Sequence, residues 1–294
     1  MRASFAVSLV LLSAIASPAR AYVRTTVDGF PERPIWWMDR SISVELASRS
    51  SADVTPIDLR SAFDRSLATW SGAGSCTDIV LTDVGEALGT TTNLDGGPLD
   101  HHNRVVVRAS GWPAIVGPET LALTTILYER SSGAILDADT DLNAAVHSFS
   151  VGDPPLADHD DVQNTLTHEL GHLLGFGHVS DPDATMYAMA APGEVRKRDL
   201  APDDVHAVCE TYPTGAPTRT TLPSAPASCA VAAGAPVFSR WIALAFAVWL
   251  TRRAVRGSRP ECPARRADTM VSRPLSGRLG PRSRRAARGD ETAF

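Results

Sequence analysis

One stretch constrains this chain more than any other: Thr167-His168-Glu169-Leu170-Gly171-His172-Leu173-Leu174-Gly175-Phe176-Gly177-His178. Two histidines four residues apart project from one face of a helix, where both imidazoles can bind a single Zn²⁺ at roughly 2.0–2.1 Å. Glu169, beside the first ligand, is rotated around the helix and placed to reach water near the metal rather than the metal itself. Gly175 can take φ > 0 and end the helix. The chain can then turn back and deliver His178 as a third ligand. Three protein ligands leave one position of a tetrahedral ion open to water, the pattern of a catalytic rather than a structural zinc site.

The flanking residues support a helix here. Val162, Leu166, Leu170 and Leu173 recur with helical period and lie roughly opposite the two histidines. The spacing predicts a helix with one side on a core and the other on a cleft. Asp158, Asp160 and Asp161 suit its N-terminal end.

Upstream, Ser41 to Leu46 alternates polar and apolar residues, a strand signal. Thr55-Pro56 then opens a helix with Asp58 in its first turn and Leu59, Phe63, Leu67 and Trp70 on its buried face. Asp78 to Thr82 and Arg104 to Arg108 read as further strands. Helices and strands in this order imply an α+β domain. His101 and His102 fall in a polar loop, and His147, His159 and His206 have no ligand spacing. Trp36 and Trp37 are expected to pack.

The H-E-x-x-H-x-x-G-x-x-H run resembles the zinc signature of the metzincin metallopeptidases, and the region is similar to the matrixins among them. Asp183-Ala184-Thr185-Met186-Tyr187 lies where that family has its Met-turn, which implies that Met186 forms an apolar floor beneath the histidines. Leu200 to Val205 resembles the start of the family's last helix, and Pro202 followed by two acids fits a helix N-terminus. Gly133 to Asp141 resembles an acidic loop that implies a structural Ca²⁺ on Asp137, Asp139 and Asp141; a solvated acidic turn is the alternative. Leu121 to Tyr128 would be the edge strand on which an extended substrate pairs antiparallel. The resemblance spans roughly Trp36 to Pro213. It implies a metzincin catalytic domain with a twisted mixed sheet, an active-site helix and a smaller C-terminal subdomain. It also implies a zinc endopeptidase with Glu169 as general base, acting on protein or peptide substrates as a monomer. No Cys precedes Cys76, so latency by a thiolate on the metal is not expected. The rival from another class is a non-catalytic extracellular binding module stabilised by zinc, which would have no need of Glu169.

The ends of the chain speak to compartment. Residues 1–21 read as a secretory signal peptide: Arg2, an apolar run from Phe5 to Ile15, and Ala19-Arg20-Ala21 as cleavage site. Secretion follows, and Cys76 with Cys209 can then form a disulfide, the alternative being two buried thiols. The catalytic domain is expected over 22–213, followed by a Pro/Thr/Ser/Ala-rich linker over 214–236. Residues 237–253 hold a short apolar segment and an Arg pair, a candidate anchor or sorting tag that would retain the protein at the cell surface. From Arg252 onward, 12 Arg against 4 acids give +8, leaving −13 on the rest of a chain whose total is −5. An acidic body argues against nucleic-acid binding. The basic tail, 254–294, lacks apolar periodicity and is expected to be disordered.

Overall fold

The computed structural model describes residues 22–50, 53–222, 265–266 and 271–275. The signal-peptide and apolar-segment expectations, at 1–21 and 237–253, therefore lie outside the described residues. Among the described residues no helix is long and apolar enough to cross a membrane.

A mixed sheet forms the body of the domain. Its strands are β1 (Ser41–Ala47), β2 (Val80–Glu86), β3 (Asn103–Val107), β4 (Ala122–Glu129) and β5 (Ile135–Leu142). β1 pairs parallel with both β2 and β3, and β3 pairs parallel with β5. β4 runs antiparallel to β5, with Thr124 opposite Thr140. Parallel neighbours need crossovers, and α1 (Pro56–Ser71) supplies the one between β1 and β2. Its start follows the sequence: Thr55 Oγ1 accepts the Asp58 N–H at 3.2 Å and Pro56 occupies the first turn. Leu59, Phe63, Leu67 and Trp70 are buried, as their spacing predicts.

Helix α2 (Val162–Leu173) carries the histidine pair and packs against α1, β4 and β5. Asp161 caps it, accepting the Asn164 N–H at 2.8 Å, and is itself held by Arg198 through Nε at 2.9 Å. All of α2 is buried. The face bearing His168, Glu169 and His172 is therefore as little exposed as the face on the core. The carbonyls at the helix end, which have no partner within a helix, are met from afar. The Trp37 indole N–H donates to Leu173 O at 2.7 Å, and the Tyr212 hydroxyl donates to Leu174 O at 2.8 Å. Tyr212 closes α3 (Pro202–Thr211), whose Cys209 is disulfide-bonded to Cys76 across 133 residues of chain. That bond ties the last helix to the loop after α1.

Two expectations need correction. Residues 133–141 are not a loop, because Ile135–Leu142 is the paired strand β5. Aspartates alternate there with Ala138, Thr140 and Leu142, so one face of the strand is acidic and the other joins the core. The tail is not wholly without structure either. Strand β7 (Arg265–Arg266) pairs with β6 (Met189–Ala190), and β8 (Val271–Leu275) adds to the outer side of β4. The full sheet order is thus β8-β4-β5-β3-β1-β2, and β4 is the edge only of the five-stranded domain sheet. Strand addition is carried by backbone groups, so it requires no apolar period in the added segment.

Candidate metal centre

His168, His172 and His178 converge, with their available ligand atoms all within 4.8 Å of one another. Nε2 of His172 and Nε2 of His178 are 3.1 Å apart, close to the roughly 3.3 Å separation that two nitrogens on one tetrahedral Zn²⁺ require. The other ring nitrogens are engaged with acceptors. Nδ1 of His168 donates to Thr185 O at 2.6 Å, and Nδ1 of His172 donates to Phe176 O at 2.7 Å. A carbonyl cannot donate, so both imidazoles carry their proton on Nδ1 and present Nε2 lone pairs to the same space, the tautomer a metal ligand needs. A set of three convergent imidazoles fits Zn²⁺ well. Among the described residues, it is the group of His, Cys, Asp or Glu side chains with clustered ligand atoms. His101 and His102 are elsewhere, on the exposed loop before β3.

Gly175 makes the third ligand reachable. Its φ is +90°, and a Cβ there would lie 3.0 Å from Ile35 O. The chain turns at this residue, and Phe176–Gly177 pairs antiparallel with Val23–Arg24, which fixes the approach of His178. Val179 then donates its N–H to Met186 O at 3.1 Å, joining the ligand loop to the methionine turn.

Met186 is buried beneath α2, and the contact is tight. A Cβ on Gly171 would sit 2.2 Å from Met186 Sδ and 2.8 Å from Trp70 Cζ2. Gly171, an unassigned position within the zinc signature, is therefore required by packing. Nothing in the local sequence marks it, since both neighbours come from distant segments.

Glu169 is fully buried. Thr124 Oγ1 on β4 donates to its Oε2 at 2.6 Å and lies 2.9 Å from Thr140 Oγ1. With Thr124 donating to a carboxylate, Thr140 donates to Thr124. A small recess beside Glu169 and His168 is lined by Leu121, Asn164, Ala190 and Lys197. Asp204 is a second residue that sequence reasoning missed. Its Oδ2 accepts the N–H of Thr185 at 2.8 Å and of Ala201 at 3.0 Å, so α3 holds the residue whose carbonyl meets His168. The signal was present in its third position within the helix, where an acid can cap the N-terminus.

The acidic face of β5 is a closed hydrogen-bond net. Asp137 accepts from Asn93 Nδ2 at 2.8 Å and from His101 N at 2.9 Å. Asp139 accepts from Asn93 N at 2.7 Å and from Arg104 N at 2.8 Å, and Asp141 accepts from Thr92 Oγ1 and Arg108 Nε. Burial, reinforced by the neighbouring Asp137 charge, pushes the Asp139 carboxyl up to about 8. Burial likewise raises Asp141 to about 6, against the pull of Arg108. Every carboxylate here already accepts from donors on neighbouring segments.

Comparison with known proteins agrees with this geometry. The Matrixin family profile matches residues 98–213. Metalloendoproteinase 5-MMP of Arabidopsis thaliana is 26% identical over 188 residues, covering 62% of this chain and 47% of the relative. Metalloendoproteinase 4-MMP of the same plant is 26% identical over 193 residues, 63% and 50% of the two chains. Human matrilysin is 46% identical over 46 residues, which are 16% of this chain and 17% of matrilysin. The chain spans about half the length of the two plant relatives. The profile runs from the loop before β3 through α2, the Met186 turn and α3, so this stretch of the chain is similar to the matrixins.

Proposed function

We propose that the protein is a secreted zinc endopeptidase. The observation that carries this reading is the pairing of three convergent histidines with a buried carboxylate one residue from the first of them. His168, His172 and His178 would hold Zn²⁺, which when bound supplies the Lewis acidity that polarises a peptide carbonyl and makes water nucleophilic near neutral pH. Glu169 takes the proton from the attacking water and passes it to the departing amine, so that one peptide bond and one water become a carboxylate and an amine. Thr124 orients the Glu169 carboxylate for that transfer. Thr185 and Phe176, through their carbonyls, keep two imidazoles in the ligating tautomer.

The substrate is an extended peptide. β4 supplies the backbone edge for it. Secretion rests on the leader-like residues 1–21, and the disulfide between Cys76 and Cys209 is in keeping with an oxidising compartment. Calcium on Asp137, Asp139 and Asp141 is a weaker part of the reading, given the donors already on those oxygens. The catalytic assignment is tested with the Glu169→Ala variant. It should retain the zinc of the parent chain and lose cleavage of unfolded casein. Equal cleavage by both would remove Glu169 from the chemistry.

A further inference from the structure

Helix α3 stands behind two of the three histidines. In its first turn, Asp204 Oδ2 accepts the N–H of Thr185, whose carbonyl takes the Nδ1 proton of His168. At its end, the Tyr212 ring lies 6.5 Å from that of Phe176, whose carbonyl takes the Nδ1 proton of His172. The Tyr212 hydroxyl also donates to Leu174 O at the close of α2. Yet α3 is 10 residues long, and its buried face is Asp204, Ala207, Val208 and Thr211. A helix of that length is marginal by itself, and two short apolar side chains give it little to pack with. Its covalent tie is the disulfide from Cys209 to Cys76, and Cys76 sits in an exposed turn.

We propose that this disulfide is a redox lock on the metal centre. Closed, it holds α3 in the position that fixes Thr185, and zinc binds tightly. Open, it lets α3 slacken, and the same three histidines hold zinc weakly. This rests on the zinc reading above and adds its regulation. The opening step is thiol–disulfide exchange with an external dithiol, whose thiolate attacks a sulfur of the pair. The dithiol gives up two electrons and two protons and becomes a disulfide, and Cys76 and Cys209 become free thiols. Exposure at Cys76 gives the attacking thiolate access, the condition that separates labile disulfides from buried structural ones. A chain in a reducing compartment is then poor in metal, and export to an oxidising one closes the bond and completes the site.

The test uses the full-length chain carrying Cys229→Ser and Cys262→Ser, so that Cys76 and Cys209 are its only cysteines. Zinc affinity is read by competition with a chromophoric chelator, and the fold by far-UV circular dichroism. Three samples are compared: the oxidised chain, the chain reduced with a phosphine, and a variant that adds Cys76→Ser and Cys209→Ser and so offers no thiols to zinc. The proposal predicts that the second and third keep the fold and bind zinc about tenfold more weakly, the scale of a lost outer partner. Reoxidation should restore the second. In an Asp204→Ala background the oxidised chain should already be weak, and reduction should cost less than about twofold more. Equal affinity with the bond open and closed would overturn the lock. An undiminished further loss in the Asp204→Ala background would overturn the route through α3. Collapse of the fold on reduction would overturn the lock as well, leaving a purely structural bond. An oxidised chain that binds no zinc would defeat the zinc reading itself, and the lock with it.

Discussion

The Nδ1–H of His168 is held by the carbonyl of Thr185 at 2.6 Å. Thr185 is in turn anchored by Asp204, which accepts its backbone N–H at 2.8 Å. His168, a proposed zinc ligand on α2, is thus oriented by the first turn of α3, through one residue of the methionine turn.

Asp204→Ala should therefore weaken metal binding without touching a ligand. Loss of an outer partner of this kind typically costs about 10–100-fold in metal affinity. Competition with a chromophoric chelator measures it. Unchanged affinity in a folded variant would show that the Thr185 peptide is held adequately by other contacts.

Gly171→Ala places a methyl group inside the Met186 and Trp70 contacts. Overpacking of this kind costs about 1–3 kcal/mol, which lowers Tm by several degrees in a domain of this size, at about 2–4 °C per kcal/mol. Adding Met186→Ala should recover part of the loss, because the closest overlap is with Sδ. Additive effects in the double variant would contradict the packing account.

Thr124→Val removes the donor to Glu169 Oε2 while nearly preserving shape. Cleavage should fall roughly tenfold, the factor that corresponds to one hydrogen bond of about 1.4 kcal/mol. Zinc content should not change, and Thr124→Ser should restore most of the rate. A loss of zinc in Thr124→Val would point to a folding defect rather than a positioning role.

Asp139 sets a pH dependence of stability. Its carboxyl is raised to about 8 in the fold, chiefly by burial, against about 3.9 in an unfolded chain. Between those values the folded protein retains a proton that the unfolded chain releases, so stability falls as pH rises through that window. Urea unfolding at about pH 5.5, inside that window, and at about pH 8.5, just above it, should show the lower midpoint at the higher pH. If Ca²⁺ occupies the acidic face, as the family resemblance implies, adding it should recover stability at the higher pH only. A midpoint that rises with pH would contradict the burial of a protonated Asp139.

The convergence of the three histidines, the turn at Gly175 and the cap of α1 were legible because their physics is local: spacing on a helix, one positive φ, one threonine before a proline. Asp204, Thr124 and Gly171 were not, because each acts on a residue from another segment, and sequence spacing does not encode that meeting. The acidic strand shows a different limit. Asp137, Asp139 and Asp141 alternate with small or apolar residues as a strand should, but three carboxylates so spaced read as a calcium-binding loop or a solvated acidic turn. Their burial depends on donors from Thr92, Asn93, His101, Arg104 and Arg108, which lie in β3 and the segments that flank it, about 30 to 50 residues away in sequence. The tail strands were invisible for a related reason, since backbone pairing leaves little trace in side-chain pattern.

The most direct test of the account is zinc content measured beside casein cleavage on one sample of the full-length chain, before chelation, after it, and after zinc is restored. The account predicts about one zinc per chain, cleavage lost with the metal and regained with it, and a fold that survives long enough to be reloaded. A well-folded chain that holds no zinc, or cleavage indifferent to its removal, would contradict it.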